Sequence, residues 1–389
     1  MINRIETLAG EILEKIIHIR HDIHQHPETG YNETRTAGII ETFLDEIDLP
    51  HKRYAGTGIA GVIGSGKGHV VGLRSEMDAL KTSDHTDLPY TSTYEGISHA
   101  CGHDGHIAVL LGTAWVLKQM EDELKGTVKL IWQPAEEGGA GARKMIEEGV
   151  LEPPTPEAIF SLHGWPSLDL GKVAYRFGPA MASVDNFEII IKGKSAHSAM
   201  PHTGVDPVTI SSRVIEGVQL IRTRMINPLS PLVITIATIH GGTVENIIPD
   251  EVKMTGTIRT IDPEIRSVIP ELIENMAVQT AQASGGDAVF NLTNGYPPTI
   301  NEKNATAFAR DTLCDILGKN NVVELDNPVM GGEDFAYFLE KIAGTFMRLG
   351  VGDRAQLHNS SYDFNDEAIP VGIRVMTGIA VSFCDKGLG

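Results

Sequence analysis

Apolar residues recur at helical spacing over the start of the chain (Ile5, Leu8, Ile12, Leu13, Ile16, Ile19, Ile23), which predicts an amphipathic helix over 5–25. Pro27-Glu28-Thr29-Gly30 stops it, and a second helix is predicted over 33–49. Two short apolar runs at 58–63 and 69–74 read as strands joined by Gly64-Ser65-Gly66-Lys67-Gly68, hence as a hairpin. No helix follows that turn and its spacing is wrong for a phosphate loop. Next come a helix over about 105–120, a buried strand at 127–132, a helix over about 140–148 and a strand at 158–163. Strand, polar residue at its end, helix: the repeat is that of an α/β sandwich, whose chemistry gathers beyond the carboxyl ends of its strands.

The pattern changes around 176–183. From Val184 it reads strand (184–192), helix (207–224), strand (232–240), strand (252–260), helix (265–284), strand (287–294), the β-α-β-β-α-β order of a ferredoxin-like layer pair. After Tyr296-Pro297-Pro298 the α/β pattern resumes with a helix over 302–317, a strand at 344–349 and a last helix over 370–384. The expected fold is therefore a three-layer α/β/α domain (1–183 and 297–389) carrying an inserted two-layer ferredoxin-like α+β domain (184–296). A chain of 389 residues is long enough for two cores.

Charge narrows the partners. The 51 acidic and 32 basic side chains leave a formal charge of -19, and no basic cluster offers a footprint for nucleic acid. The three cysteines, Cys101, Cys314 and Cys384, form no CxxC and no disulfide framework. A charged, amphipathic N-terminus and the lack of an uninterrupted membrane-length apolar run make the cytoplasm the expected location, with no membrane partner.

The chemistry concentrates in Ser98-His99-Ala100-Cys101-Gly102-His103-Asp104-Gly105-His106, where thiol and imidazole groups suit a borderline-soft divalent metal. Further candidates sit at strand ends or beside glycine: Glu137, His163 and His358. Together with Cys101 and His103 they are hard to read as core polarity, because buried charge must be paired or metal-bound. Glu136-Glu137 follows a buried strand, and neighbours on an extended segment point opposite ways. One carboxylate can then bind metal while the other serves as a general base.

On these motifs, with Arg20-His21-Asp22-Ile23-His24, Met77-Asp78-Ala79-Leu80, Gln133-Pro134-Ala135-Glu136-Glu137-Gly138-Gly139, His163-Gly164, Pro201-His202-Thr203-Gly204-Val205-Asp206-Pro207, Asn246-Ile247-Ile248-Pro249-Asp250 and Met330-Gly331-Gly332-Glu333-Asp334-Phe335, the chain resembles the amidohydrolase branch of the zinc-peptidase family. Aminoacylase, hippurate hydrolase and the auxin-conjugate hydrolases belong there. The resemblance implies a metallopeptidase-like catalytic domain and a centre of two divalent ions, Zn or Mn with Co or Ni possible. It assigns Cys101, His103, Glu137, His163 and His358 as ligands, Glu136 as general base and Asp78 as a carboxylate holding ligand geometry. It makes His197 a substrate or transition-state contact, often supplied across a dimer, and Asn246, Arg259 and Gly331 substrate-binding residues. His202 and Asp206-Pro207 are expected to shape a loop and cap the next helix.

The implied reaction is hydrolysis of an N-acyl-L-amino acid by metal-activated water, in a homodimer or homotetramer formed through the inserted domain. The alternatives are an N-acetyl-diaminopimelate deacetylase, a dipeptide-cleaving metallo-exopeptidase, or an enzyme with Cys101 as nucleophile. Lys81-Thr82-Ser83 stands where the family commonly has proline, and Leu168-Asp169-Leu170 where it has Leu-Pro, which leaves the pocket rim near 81–86 and the acyl group open.

Overall fold

The computed structural model describes residues 1–64 and 66–388. The chain divides into two compact units. One comprises Met1–Gly178, Ile300–Asn327 and Asp334–Gly389, and the other Pro179–Thr299 with Pro328–Glu333. The second unit thus begins and ends a few residues outside 184–296, and it takes in a short segment of the returning chain.

The first unit opens with α1 (Ile2–Gln25) and α2 (Thr34–Glu46), followed by β1 (His51–Tyr54), β2 (Gly58–Gly64) and β3 (Val70–Glu76). Then come α3 (His103–Gln119), β4 (Thr127–Gln133), α4 (Gly141–Glu147), β5 (Ala158–Trp165) and β6 (Val173–Tyr175). β7 (Gly178–Met181) leads out. The second unit holds β8 (Asp185–Lys192), β9 (Ala196–His197), α5 (Pro207–Leu220), β10 (Leu232–Gly241), β11 (Ile247–Ile248), β12 (Glu251–Thr260), α6 (Pro263–Gln282) and β13 (Asp287–Thr293). β14 (Thr299–Asn301) leads back to α7 (Lys303–Leu317), β15 (Val322–Glu324), α8 (Ala336–Leu339), β16 (Ala343–Gly350) and α9 (Ile369–Lys386).

Eight strands of the first unit form one sheet in the order β1-β2-β4-β3-β5-β16-β6-β15. Its centre is parallel: β3 pairs with β4 and β5, and β5 with β16. All seven residues of β4 are buried, as a strand covered on both faces requires. The hairpin expected at 58–74 does not form. β2 and β3 each pair with β4, which lies between them, β2 antiparallel and β3 parallel. Two neighbouring apolar runs with a glycine-rich link look alike whether they pair or flank a third strand; Ser65 of that link lies outside the described residues.

α1 buries Ile5, Ile12, Ile16 and Ile23 in the same core as Ile107, Leu110 and Leu111 of α3 and Ile373, Met376 and Ile379 of α9. Each such side chain contributes about 1.5–3 kcal/mol on burial. The segment Asp366–Lys386 is long and apolar enough to cross a membrane, but most of it is buried inside the protein and α9 packs on α1 and α3, the behaviour of a core helix.

In the second unit the sheet order is β10-β12-β8-β13, all antiparallel, as the ferredoxin-like order demands. Phe187, Ile189 and Ile191 alternate toward one face of β8 and join Val214 and Val218 of α5 and Ile269 and Ile273 of α6. Asp206 caps α5 through the Val208 and Thr209 N–H groups, with Pro207 at the first helical position. The expected single helix to 224 ends at Leu220 and widens into a π turn over Ile221–Met225.

Candidate metal centre

The first unit brings Cys101, His103, Glu136, Glu137, His163 and His358 together. Ligand-type atoms of Cys101, His103 and His163 lie within 4.8 Å of one another, as do those of Cys101, Glu137 and His358, and those of His103, Glu136 and Glu137. Cys101 belongs to two of these three groups.

The backbone explains the arrangement. Gly102 precedes α3 with φ 81°, a left-handed conformation, and a Cβ there would lie 2.9 Å from the Tyr362 hydroxyl. At Gly105 a Cβ would come within 2.3 Å of the Phe364 ring. The two glycines allow the Cys101 loop and α3 to pack against the 358–364 segment. There the His358 N–H donates to the Ala100 carbonyl at 2.8 Å.

Two of the imidazoles, His103 and His163, are oriented by a backbone carbonyl. His103 Nδ1 donates to the Asp78 carbonyl at 2.8 Å, which leaves Nε2 buried and without a hydrogen-bond partner. His163 Nδ1 donates to the Gly164 carbonyl at 2.8 Å and turns Nε2 toward Cys101 Sγ at 3.5 Å. Glu137 Oε1 lies 3.3 Å from His358 Nε2 yet has no aligned donor. Ligand-type atoms that face one another at such distances, several of them buried without a hydrogen-bond partner, are what a cation resolves. His106 is excluded from the ligand set. Its Nε2 accepts the Gly164 N–H at 2.7 Å and its Nδ1 donates to Glu76 Oε2 at 2.9 Å, so both nitrogens are engaged.

Burial, with Glu137 and Glu136 close by, pushes the Cys101 thiol well above its usual range. A nucleophilic thiolate needs the opposite surroundings, which disfavours Cys101 as a nucleophile; a cation would stabilise the thiolate as a ligand. Burial lowers the His103 pKa, but the hydrogen bond and charge of Asp78 outweigh it and raise it to about 10. Burial depresses His163 well below the ordinary histidine value, and the Glu137 contact raises His358.

Asp78 sits between the ligands. Besides holding His103 through its carbonyl, its Oδ1 accepts the Glu136 N–H at 3.0 Å and its Oδ2 the Glu137 N–H at 2.9 Å. The next amide along, that of Ala135, donates to Glu33 Oε1 at 2.9 Å. Ala135 itself has φ 52°, so the turn carrying both glutamates contains a strained residue held by two buried carboxylates. Glu33 was not among the residues singled out from sequence, though a glutamate opening an amphipathic helix one turn after Pro-Glu-Thr-Gly was visible. Burial raises its pKa to about 6.

Beneath the ligands lie two buried ionic networks that sequence also left unassigned. Arg20 donates to Asp104 at 2.8 Å and also meets Asp363 and Asp366, while His24 lies between Asp104 and Asp84. They tie the residue after His103 to the segment that carries His358. Arg74 meets Glu76 and, at 2.9 Å, Asp334, whose other oxygen accepts the Ala142 N–H at the start of α4.

The remaining sequence-predicted residues lie in the second unit. His197 on β9 is exposed, pairs with Ile247 of β11, and accepts the Ala199 N–H on Nδ1 at 3.1 Å. Asn246 is its neighbour through the Ser198 N–H, which donates to the Asn246 carbonyl at 3.0 Å. Arg259 donates to the Met330 carbonyl at 3.0 Å, and the Gly331 carbonyl accepts from Ala182 at 2.9 Å. His197 and Asn246 thus form one cluster, Arg259 and Gly331 another.

Comparisons agree with this geometry. Residues 72–382 match the family model described as Peptidase family M20/M25/M40. The chain is 38% identical to the N-acetylcysteine deacetylase of Bacillus subtilis over 94% of this chain and 96% of that one. It is 37% identical to the IAA-amino acid hydrolase ILR1-like 5 of Arabidopsis thaliana over 96% and 87%. Among solved structures, the Bacillus subtilis YXEP protein, described as a dinuclear metal binding peptidase from the M20 family, superposes with a TM-score of 0.86 at 34% identity, covering 97% of this chain and 99% of that one. The fold, the strand-end ligand cluster and these likenesses converge: the chain belongs to peptidase family M20/M25/M40.

Proposed function

We propose that this protein is a metal-dependent amidohydrolase that cleaves N-acyl-L-amino acids into an amino acid and a carboxylate. The observation that carries the reading is the position of Glu136. It is a buried carboxylate within 4.8 Å of the ligand atoms of His103 and Glu137, on a turn whose amides are pinned to Asp78. Two divalent cations held by Cys101, His103, Glu137, His163 and His358 would acidify water and polarise the acyl carbonyl. A mixed sulfur, nitrogen and oxygen set suits Zn or Mn.

Glu136 then takes the proton from the attacking water and hands it to the leaving amine, so that one carboxylate serves both halves of the reaction. His197, if brought to the carbonyl, donates a hydrogen bond to the developing oxyanion, and Asn246 and Arg259 hold the substrate carboxylate, the arginine as a fork. The substrate class is supported by relatives named for N-acetylcysteine and for IAA-amino acids. The same reading extends to a homodimer or homotetramer through the second unit, where Ile239, Val244 and Ile247 are about half exposed, and to a cytoplasmic location.

Glu136→Gln keeps the side chain's size and removes the base. It is expected to bind Zn or Mn with unchanged stoichiometry while turnover of N-acetyl-L-amino acids falls by about 10²–10⁴. Retained turnover would refute the assignment. A panel adding N-acetyl-diaminopimelate and dipeptides separates the aminoacylase from its two narrower rivals.

A further inference from the structure

Arg348 lies beside the metal cluster, and nothing in the mechanism uses it. On β16 it is in register with His163 of β5. Parallel neighbours in register point to the same face, about 4.8 Å apart. Its guanidinium lies 3.8 Å from the centre of the Trp165 ring, and that ring is 6.0 Å from the His163 imidazole. Phe346, two residues earlier on the same strand face, is also 6.0 Å from His163.

The residue is only 6% exposed. Among the described residues its guanidinium has no carboxylate or carbonyl partner; the Trp165 face is its one contact with an aromatic or charged group of favourable sign. Arg176, whose charge bears on it, has the same sign and donates to the Leu325 and Asp326 carbonyls. Burial and Arg176 together lower the Arg348 pKa to about 10. The other buried arginines of this unit are treated differently: Arg20 meets three carboxylates and Arg74 two. A cation–π contact offsets only part of the cost of desolvating a guanidinium. A fork of donors seated over an aromatic ring, next to the candidate metal cluster and short of an anion, is suited to receive one.

We propose that Arg348, backed by Trp165, recognises a carboxylate of the substrate. Two sources share this chemistry: a dicarboxylic acyl group such as succinyl, or the α-carboxylate of the amino acid, which Arg348 would then share with Arg259. The inference rests on the amidohydrolase reading for its substrates, and a binding measurement keeps the two separable.

Turnover by the metal-loaded enzyme and its Arg348→Met variant is compared on N-succinyl-L-alanine, N-acetyl-L-alanine and N-acetyl-L-alanine amide. Binding of succinate to both proteins is measured by calorimetry, where any direct coordination to metal is common to the pair. Arg348→Met is expected to weaken succinate binding about 10–100-fold, with Arg348→Lys in between. A selective loss of kcat/KM on N-succinyl-L-alanine assigns the acyl side. A loss on N-acetyl-L-alanine that its amide does not show assigns the α-carboxylate. Equal succinate affinity in all three proteins, or an equal change on every substrate, overturns the proposal. If none of the amides is cleaved by the wild type, the amidohydrolase reading fails while the succinate comparison still decides the role of Arg348. Arg348→Lys guards against misfolding of the methionine variant.

Discussion

At the scale of single residues, the candidate centre is organised by what lies behind the proposed ligands. Asp78 uses three oxygens on three partners: its carbonyl on His103, its carboxylate on the Glu136 and Glu137 amides. Asp78→Asn keeps the volume but turns an N–H2 group against a backbone N–H. Metal affinity is expected to drop about 10–100-fold, read by competition with a chromogenic chelator; an unchanged affinity would show that the ligands hold themselves. His24 makes a second residue-level case. Burial lowers its pKa, yet Asp104 and Asp84 raise it to about 9, above the usual 6.5. A histidine raised on folding stabilises fully below about pH 6.5, and that contribution disappears as pH climbs through about 9. It is worth roughly 3 kcal/mol over this window. Urea unfolding of wild type and His24→Gln should therefore differ most near pH 6 and converge by about pH 10. A gap independent of pH would mean that the side chain acts through packing.

At the scale of elements, the decisive piece is the turn between β4 and α4. Three successive amides, from Ala135, Glu136 and Glu137, are taken by Glu33 and Asp78, and Thr57 donates to the other Glu33 oxygen at 2.6 Å. Glu33→Ala strands the Ala135 N–H and the Thr57 hydroxyl in a buried site. It should cost about 1–3 kcal/mol of stability and lower kcat more than it changes KM, since Glu136, the proposed base, turns with its backbone. Glu33→Gln, which keeps one acceptor, should recover part of both; a normal kcat in Glu33→Ala would show that Asp78 suffices. Most elements were legible because apolar periodicity distinguishes helix from strand: α1, α3, β4, β5, α7 and α9 all lie where the pattern put them. What pattern could not carry was pairing. β2 and β3 are neighbours in sequence but not in the sheet, and β1, β6 and β15 are three- or four-residue strands too short to show a period.

At the scale of the molecule, folding and metal binding are linked. Cys101, His103, Glu137, His163 and His358 come from four separate stretches of the first unit, so an ion that binds them binds the folded state and not the open chain. Chelation with EDTA is expected to abolish hydrolysis and lower Tm by about 5–10 °C, and Zn or Mn should restore both. Activity that survives exhaustive chelation, with metal content checked by mass spectrometry, would rule out the metal mechanism.

The sequence alone determined the layer architecture, the inserted β-α-β-β-α-β unit and the set of ligand-type side chains, because periodicity and residue chemistry are local properties. The tertiary structure decided how those side chains are used. It placed Cys101 in two groups of ligand-type atoms, engaged both nitrogens of His106, put Glu33 and Asp78 behind the turn that carries Glu136 and Glu137, and left Arg348 buried beside His163 with no anion among the described residues. Hydrogen-bond partners, burial and register arise only when distant segments meet, and they set which lone pair is free and which charge is unmet.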